Sequence, residues 1–248
     1  MRFFVSVIKM KTELKLQYEI NESEIKAIPV IIVAAGNSTR MGANKQFMEI
    51  MGIPVIARTL MAFENSPSIS RIILVAKADD IFELQRLKTK YCISKVSDIV
   101  CGGSCRQESV LNGFQRLSAD EDKVLIHDGA RPLVKEEIIA SVAKAMNTYS
   151  AAACGVRVKD TLKRVDSDGK ILKTIDRSSV FAVQTPQGVK KDEYLSAVKN
   201  ADISVVTDDM SIMELAGYTC FMTEGSYKNI KITTPEDIVL AENFLKEE

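Results

Sequence analysis

From Pro29 onward, short apolar runs alternate with longer segments of helical period, and this alternation most restricts the fold. VIIVAA is followed by PVIARTLMAFENS, RIILVA by DDIFELQRLKTKY, DIVC by RQESVLNGFQRL, and KVLIHD by KEEIIASVAKAMNTY. Such units assemble as βαβ crossovers into a parallel sheet covered by helices. A strand buried on both faces reads as an unbroken apolar run, as IIVAA does. In RQESVLNGFQRL, Val110, Phe114 and Leu117 share one helical face, so the polar start, Arg106 to Ser109, faces the loop after the preceding strand. The expected class is α/β, a mostly parallel sheet flanked by helices.

After Ala151 the pattern changes. AAACGVRV, TLKRV, KILKTI and FAVQT read as short strands, with a turn at Asp166 to Gly169. They form an extended hairpin or arm, and bare strand edges invite pairing, so a second copy of the chain is expected to cover it. The chain closes with a helical stretch (TDDMSIMELAG), two short strands (TCFMT and NIKIT) and a helix opened by Thr234 and Pro235, which suit N-cap and first-turn positions. Residues 1–28 differ from the rest, being polar after a brief apolar patch, and are read as an N-terminal extension; a start at Met10 is equally compatible. At 248 residues, 46% hydrophobic, the chain can bury one sizeable core, and residues 29–248 are expected to form one domain.

Charge and composition remove several function classes. Lysines and arginines number 33 and acids 33, so no broad field favours nucleic acid or an anionic membrane. No apolar run approaches the roughly 20 residues that span a bilayer, and FFVSVI is too short for a signal-peptide core. The five cysteines lack paired metal-ligand spacing and are expected to be reduced, in a cytoplasmic protein. The one histidine, His127, cannot by itself build a zinc cage or a Cys-His pair, and reads as a packed strand residue.

Ligands of open α/β sheets bind beyond the carboxyl ends of the strands, so the loop after IIVAA lies where phosphates would bind. There Ala34, Ala35 and Gly36 permit close backbone approach, Ser38 and Thr39 offer hydroxyls, and Arg40 and Lys45 bring two positive charges. This is equipment for a polyphosphate. Both GxGxxG and GxxxxGK[ST] are missing, which speaks against an NAD-dependent oxidoreductase. CGGSCRQESVLNG sets Gly102 and Gly103 at a strand end and Ser109 in a helix: a base-reading edge, or a tight turn and cap. HDGARP puts Asp128 at a strand's carboxyl end, where a carboxylate can meet magnesium or a ribose hydroxyl, while Arg131 either serves the site or pairs with Asp128.

Taken in order, AAGNSTRMGANKQF, GGSCRQESVLNG, HDGARP, KDTLKR, IDR, QTPQ, TDD and NIKITTPED resemble the 2-C-methyl-D-erythritol 4-phosphate cytidylyltransferases of the non-mevalonate isoprenoid pathway, from about Pro29 to the end. The resemblance implies a Rossmann-like nucleotidyltransferase fold, a homodimer locked by an arm at about 156–177, and use of CTP with Mg2+. It implies that CMP passes to methylerythritol phosphate, a sugar-alcohol phosphate, with release of pyrophosphate. Arg40 and Lys45 then resemble the pair that stabilises triphosphate charge, and Arg177 and Lys231 the pair that positions the sugar phosphate. Ala34, Ala35, Gly36, Gly102, Gly103, Ser109 and Asp128 fall on the CTP-binding side, with Asp128 also the candidate metal ligand. Arg131, Asp160, Thr161 and Thr185 fall on the acceptor side, and an arm that crosses over offers Asp160, Thr161 and Arg177 to the partner's site. Ser38, Asn44 and Gly129 depart from the family's usual residues, which touches loop stiffness and not charge. The alternatives are a ribitol 5-phosphate cytidylyltransferase and a nucleotide-binding module without activity; KDTLKR, IDR and the Gly129-Ala130 pair favour methylerythritol phosphate.

Overall fold

The computed structural model describes residues 26–36, 44–200 and 206–247. The chain begins with β1 (Ile28–Val33), a small hairpin of β2 (Glu49–Ile50) and β3 (Ile53–Pro54), and helix α1 (Val55–Glu64). β4 (Ile69–Ala76), α2 (Ile81–Lys90), β5 (Val96–Cys101), α3 (Arg106–Phe114), β6 (Lys123–Asp128) and α4 (Glu136–Ala145) then alternate, as the apolar periodicity predicts. β7 (Ala151–Arg157), β8 (Leu162–Val165), β9 (Ile171–Ile175), β10 (Phe181–Lys190), α5 (Lys191–Asn200), α6 (Asp209–Leu215), β11 (Cys220–Glu224) and α7 (Pro235–Lys246) complete it.

Among the described residues, seven strands form one sheet in the order β11-β7-β10-β6-β1-β4-β5. All neighbours are parallel except β10, which runs antiparallel to both β6 and β7. β1 is apolar throughout because both its faces are buried. Val30 and Ile32 point into a cluster with Ile56, Leu60 and Phe63 of α1 and Ile139 and Val142 of α4. Ile31 points the other way, into a cluster with Val110 and Phe114 of α3, Tyr194 of α5 and Met213 of α6. Each such isoleucine contributes about 1.5–3 kcal/mol relative to an exposed one, which anchors the strand in both clusters. Leu117 packs on the same cluster, just past the end of α3.

The fold also fixes where a ligand can sit. β1 lies between β4, reached through α1 on one face, and β6, entered from α3 on the other, with Val33 in register with Asp128, so a crevice opens at these strand ends.

Three expectations need adjustment. NIKIT is not a strand: Asn229 to Thr233 is irregular, held by Ile232 N–H donating to the Ala130 carbonyl (2.8 Å) and Arg131 Nη1 donating to the Asn229 carbonyl (2.8 Å). FAVQT is only the first half of β10, which continues past Pro186 to Lys190; a register shift between Val183 and Gln187 absorbs the proline. The arm is shorter than expected in its paired part: β8 and β9 form a separate two-stranded sheet, turning at Gly169 with φ +83°.

Candidate active site

A cavity of about 260 Å³ opens at the carboxyl ends of β1 and β6 and beside the loop after β5. Its charged lining is Lys45, Arg106, Asp128 and Lys231: three cations against one carboxylate. Such a surplus attracts an anion.

Asp128 is the centre of this arrangement. Lys231 Nζ lies 2.8 Å from its Oδ2, Arg131 Nε 3.7 Å from the same oxygen, and Arg106 Nε 3.7 Å from Oδ1. Burial would raise its pKa, but Lys231, Arg106 and Arg131 together hold the carboxyl well below the ordinary carboxylate range. The group is therefore an anion at any physiological pH. Arg131 pairs with Asp128, as one of the two sequence readings has it, and also pins the backbone before Lys231.

Lys45 and Lys231 come from opposite ends of the chain. Lys45 Nζ donates to the carbonyl of Ile232 (3.1 Å), the residue after Lys231. The backbone around Lys45 is fixed too: Asn44 Nδ2 donates to both carboxylate oxygens of Asp80 (3.0 Å each), at the head of α2. On the other side, Thr233 and Thr234 donate their N–H groups to Asp237 Oδ2 (2.7 and 2.8 Å), stopping the irregular segment and starting α7 just after Lys231.

The loop between β5 and α3 forms the opposite wall. Gly102 is needed because a Cβ there would stand 2.3 Å from Ala35 Cβ and 2.9 Å from Ser109 Oγ. The two amides are not bared, as the base-reading alternative supposed: Gly102 N–H donates to the Ala76 carbonyl (2.8 Å) and Gly103 N–H to Ser109 Oγ (3.1 Å). A closed turn and a capped helix stand there instead: Ser109 Oγ donates onward to the Cys105 carbonyl (2.9 Å), and Cys105 caps α3, its Sγ accepting from Glu108 N–H (3.5 Å). Gly103 and Ser109 still line the cavity, together with Ala35 and Gly36. Ala34 does not face it; its side chain is buried in the core.

Behind Asp128 lies His127, fully buried in β6 with its ring 4.7 Å from that of Phe63. Its Nε2 is 3.2 Å from the Arg131 carbonyl, which can only accept, so the proton sits on Nε2. Nδ1 then accepts from Thr185 Oγ1 (3.0 Å), and that oxygen in turn accepts from Asp128 N–H (3.1 Å). Burial pushes the imidazole pKa down to about 3, so the ring is a neutral spacer. Thr185, expected on the acceptor side, is 4% exposed and occupied in holding the end of β6.

Two polar lining residues were given no role in the sequence reading, Arg106 and Gln46. Arg106 Nη2 donates to the buried Asp209 (2.7 Å), which also receives Tyr194 Oη (2.8 Å). Burial would lower the guanidinium's pKa, but Asp209 and Asp128 more than offset it and raise it. Gln46 is the second. Both stand inside quoted motifs, yet Gln46 is set apart from its neighbours by burial and Arg106 by its pairing with Asp209 and Asp128. Asp160, Thr161 and Arg177 are exposed and none lines this cavity; Arg177 Nη1 donates to the Lys159 carbonyl. Arg40, with Ser38 and Thr39, lies outside the described residues.

Residues 28–247 match the family model of IspD, 2-C-methyl-D-erythritol 4-phosphate cytidylyltransferase. The chain is 48% identical over 221 residues to the enzyme of that name from Clostridium acetobutylicum, covering 87% of this chain and 96% of the relative. It is 44% identical over 220 residues to that of Bacillus mycoides, with 87% and 96% covered. In three dimensions it resembles the crystal structure of 4-diphosphocytidyl-2C-methyl-D-erythritol synthase from Anaerococcus prevotii, with a TM-score of 0.81 at 31% identity, covering 90% of this chain and 97% of that one. The cytidylyltransferase structure from Thermus thermophilus gives 0.70 at 27% identity, with 89% and 99% covered.

Proposed function

Because the chain belongs to the IspD family of 2-C-methyl-D-erythritol 4-phosphate cytidylyltransferases, we propose a mechanism in which the cavity described above joins CTP to that acceptor. The enzyme transfers CMP from CTP to 2-C-methyl-D-erythritol 4-phosphate, releasing pyrophosphate and giving 4-diphosphocytidyl-2-C-methyl-D-erythritol. The acceptor's phosphate oxygen attacks the α-phosphorus of CTP, a new P–O bond forms, and the bond to the β-phosphate oxygen breaks. The nucleophile is already an anion, so no general base is needed. The obstacle is mutual repulsion between anions.

The chain's own cations address it. Lys45 offsets charge gathering on the triphosphate oxygens, with Arg40 assigned beside it from sequence; Lys231 draws the acceptor phosphate to the α-phosphorus. Asp128 orients Lys231 and limits how much positive charge the empty site carries. The observation that carries this reading is the bond from Lys45 to the backbone of Ile232, which brings both lysines to one cavity. Asp160, Thr161 and Arg177 are exposed outside this cavity, which supports assigning them to the site of a second copy; the homodimer and the arm at 156–177 are part of the same proposal. So are the single catalytic domain over 29–248, in keeping with a family match over 28–247, and a cytoplasmic location. No helix among the described residues is long and apolar enough to cross a membrane.

Among the described residues, no three His, Cys, Asp or Glu side chains gather as a metal site. Mg2+ typically binds through one or two carboxylates plus substrate phosphates. Asp128 alone in the cavity fits an ion that enters on the triphosphate, where it would supply charge neutralisation.

The deciding assay gives the purified chain each nucleoside triphosphate with methylerythritol phosphate or ribitol 5-phosphate and follows pyrophosphate. Release with CTP and methylerythritol phosphate is expected to exceed all other pairs. Preference for ribitol phosphate, or CTP binding without release, would overturn the assignment.

A further inference from the structure

Gln46 is 3% exposed, lines the cavity next to Lys45, and keeps its buried Oε1 without a hydrogen-bond partner among the described residues. Its backbone is fixed on both sides: the N–H donates to Asn44 Oδ1 (3.2 Å), and the carbonyl accepts from Ile56 N–H in the first turn of α1 (3.0 Å). The side chain therefore starts from a set point in the cavity wall. A buried amide oxygen left unpaired costs the protein stability, and such an atom calls for an explanation. A ligand that supplies the missing partner is one.

The cavity's chemistry indicates which ligand group. Its excess of cations marks the place of phosphates, whose oxygens accept and never donate. A half-turn of the carboxamide exchanges its oxygen for its NH2, a torsion with broad, roughly two-fold preference. Resting on the cytidylyl-transfer reading, we propose that Gln46 is a further substrate-binding residue, whose NH2 donates to a non-bridging phosphate oxygen of CTP. It is a neutral donor beside the charge of Lys45. It holds the triphosphate in orientation without adding to the electrostatic cost of the empty site.

The test uses the full chain with Gln46→Met, which keeps the shape and removes the amide, and Gln46→Glu, which keeps an acceptor and removes the donor. Pyrophosphate release against CTP concentration is measured together with melting temperature, with and without CTP. Gln46→Met is expected to melt at or above the wild-type temperature without nucleotide, yet to lose about 10- to 100-fold in kcat/KM for CTP and most of the CTP-induced rise in Tm. Gln46→Glu is expected to lose more. A merely structural residue would show the opposite coupling, with stability and activity falling together. Wild-type kcat/KM in either variant, or a Gln46→Met melting several degrees low, overturns the proposal. A wild-type chain that releases no pyrophosphate overturns the functional reading instead, and the CTP-induced shift in Tm still decides Gln46.

Discussion

Single side chains at this site are distinguished by what they offset. Lys45 faces charge that grows during the reaction, so Lys45→Ala is expected to lower kcat by roughly 10²- to 10³-fold while changing KM for CTP much less. Steady-state kinetics checks it, and an unchanged kcat would remove Lys45 from the mechanism. His127 makes a different prediction, about stability. Burial depresses its pKa from 6.5 to about 3, so the folded state resists a proton that the unfolded chain accepts. The stabilisation is complete above pH 6.5 and is lost as pH falls from there toward 3, up to about 5 kcal/mol in total. Urea unfolding from pH 7 to pH 4 should show His127→Gln losing stability less steeply than wild type, by about 1.4 kcal/mol per pH unit below 6. Parallel curves would contradict a buried neutral ring. At this scale the sequence was partly legible. Lys45 stood out by charge in the loop after a buried strand and Asp128 at a strand end, while Lys231 was reached only through the family resemblance; Gln46 depends on burial and Arg106 on its pairing with Asp128 and Asp209, which the fold brings from far along the chain.

Strands and helices were legible where one physical signal dominated. β1, β4 and β6 show as continuous apolar runs because both faces of the sheet are covered, and α3 shows through the spacing of Val110 and Phe114. Ile230 and Ile232 in NIKIT alternate like a strand, but Ile232 packs with Ala130 and Val55, and its backbone bonds to the Ala130 carbonyl and the Lys45 side chain, not to a ladder. No local signal separates the two cases. β10 was cut short because proline reads as a strand breaker, while its pairing with β7 shifts register there and its pairing with β6 begins only at Gln187. The loop after β5 is the element whose packing most directly serves the site. Gly102→Ala would force a Cβ against the Ala35 Cβ, which has no rotamer to give, and against the Ser109 Oγ, and should cost about 1–3 kcal/mol by overpacking. Since Ala35 and Ser109 line the cavity, CTP affinity should fall with it; calorimetric titration and a denaturation curve check the pair.

The whole molecule carries an outlying hairpin whose apolar residues remain uncovered. Val165, Ile171 and Leu172 are 51%, 60% and 55% exposed, and exposed strand edges of this kind favour pairing with another chain. The double substitution Ile171→Asp and Leu172→Asp is expected to shift the chain to monomer in sedimentation. On the proposed exchange of Arg177, it should also raise KM for the acceptor more than for CTP. A monomeric wild type would remove the dimer from the proposal. The Lys45 to Ile232 bond spans nearly the whole described chain, and this has a consequence for biogenesis. On the ribosome Asp128 is made long before Lys231, so any folding around β6 in that interval proceeds without the carboxylate's nearest counter-charge. Nucleotide capture is then expected only once the segment around Lys231 has been made and has docked against Ala130.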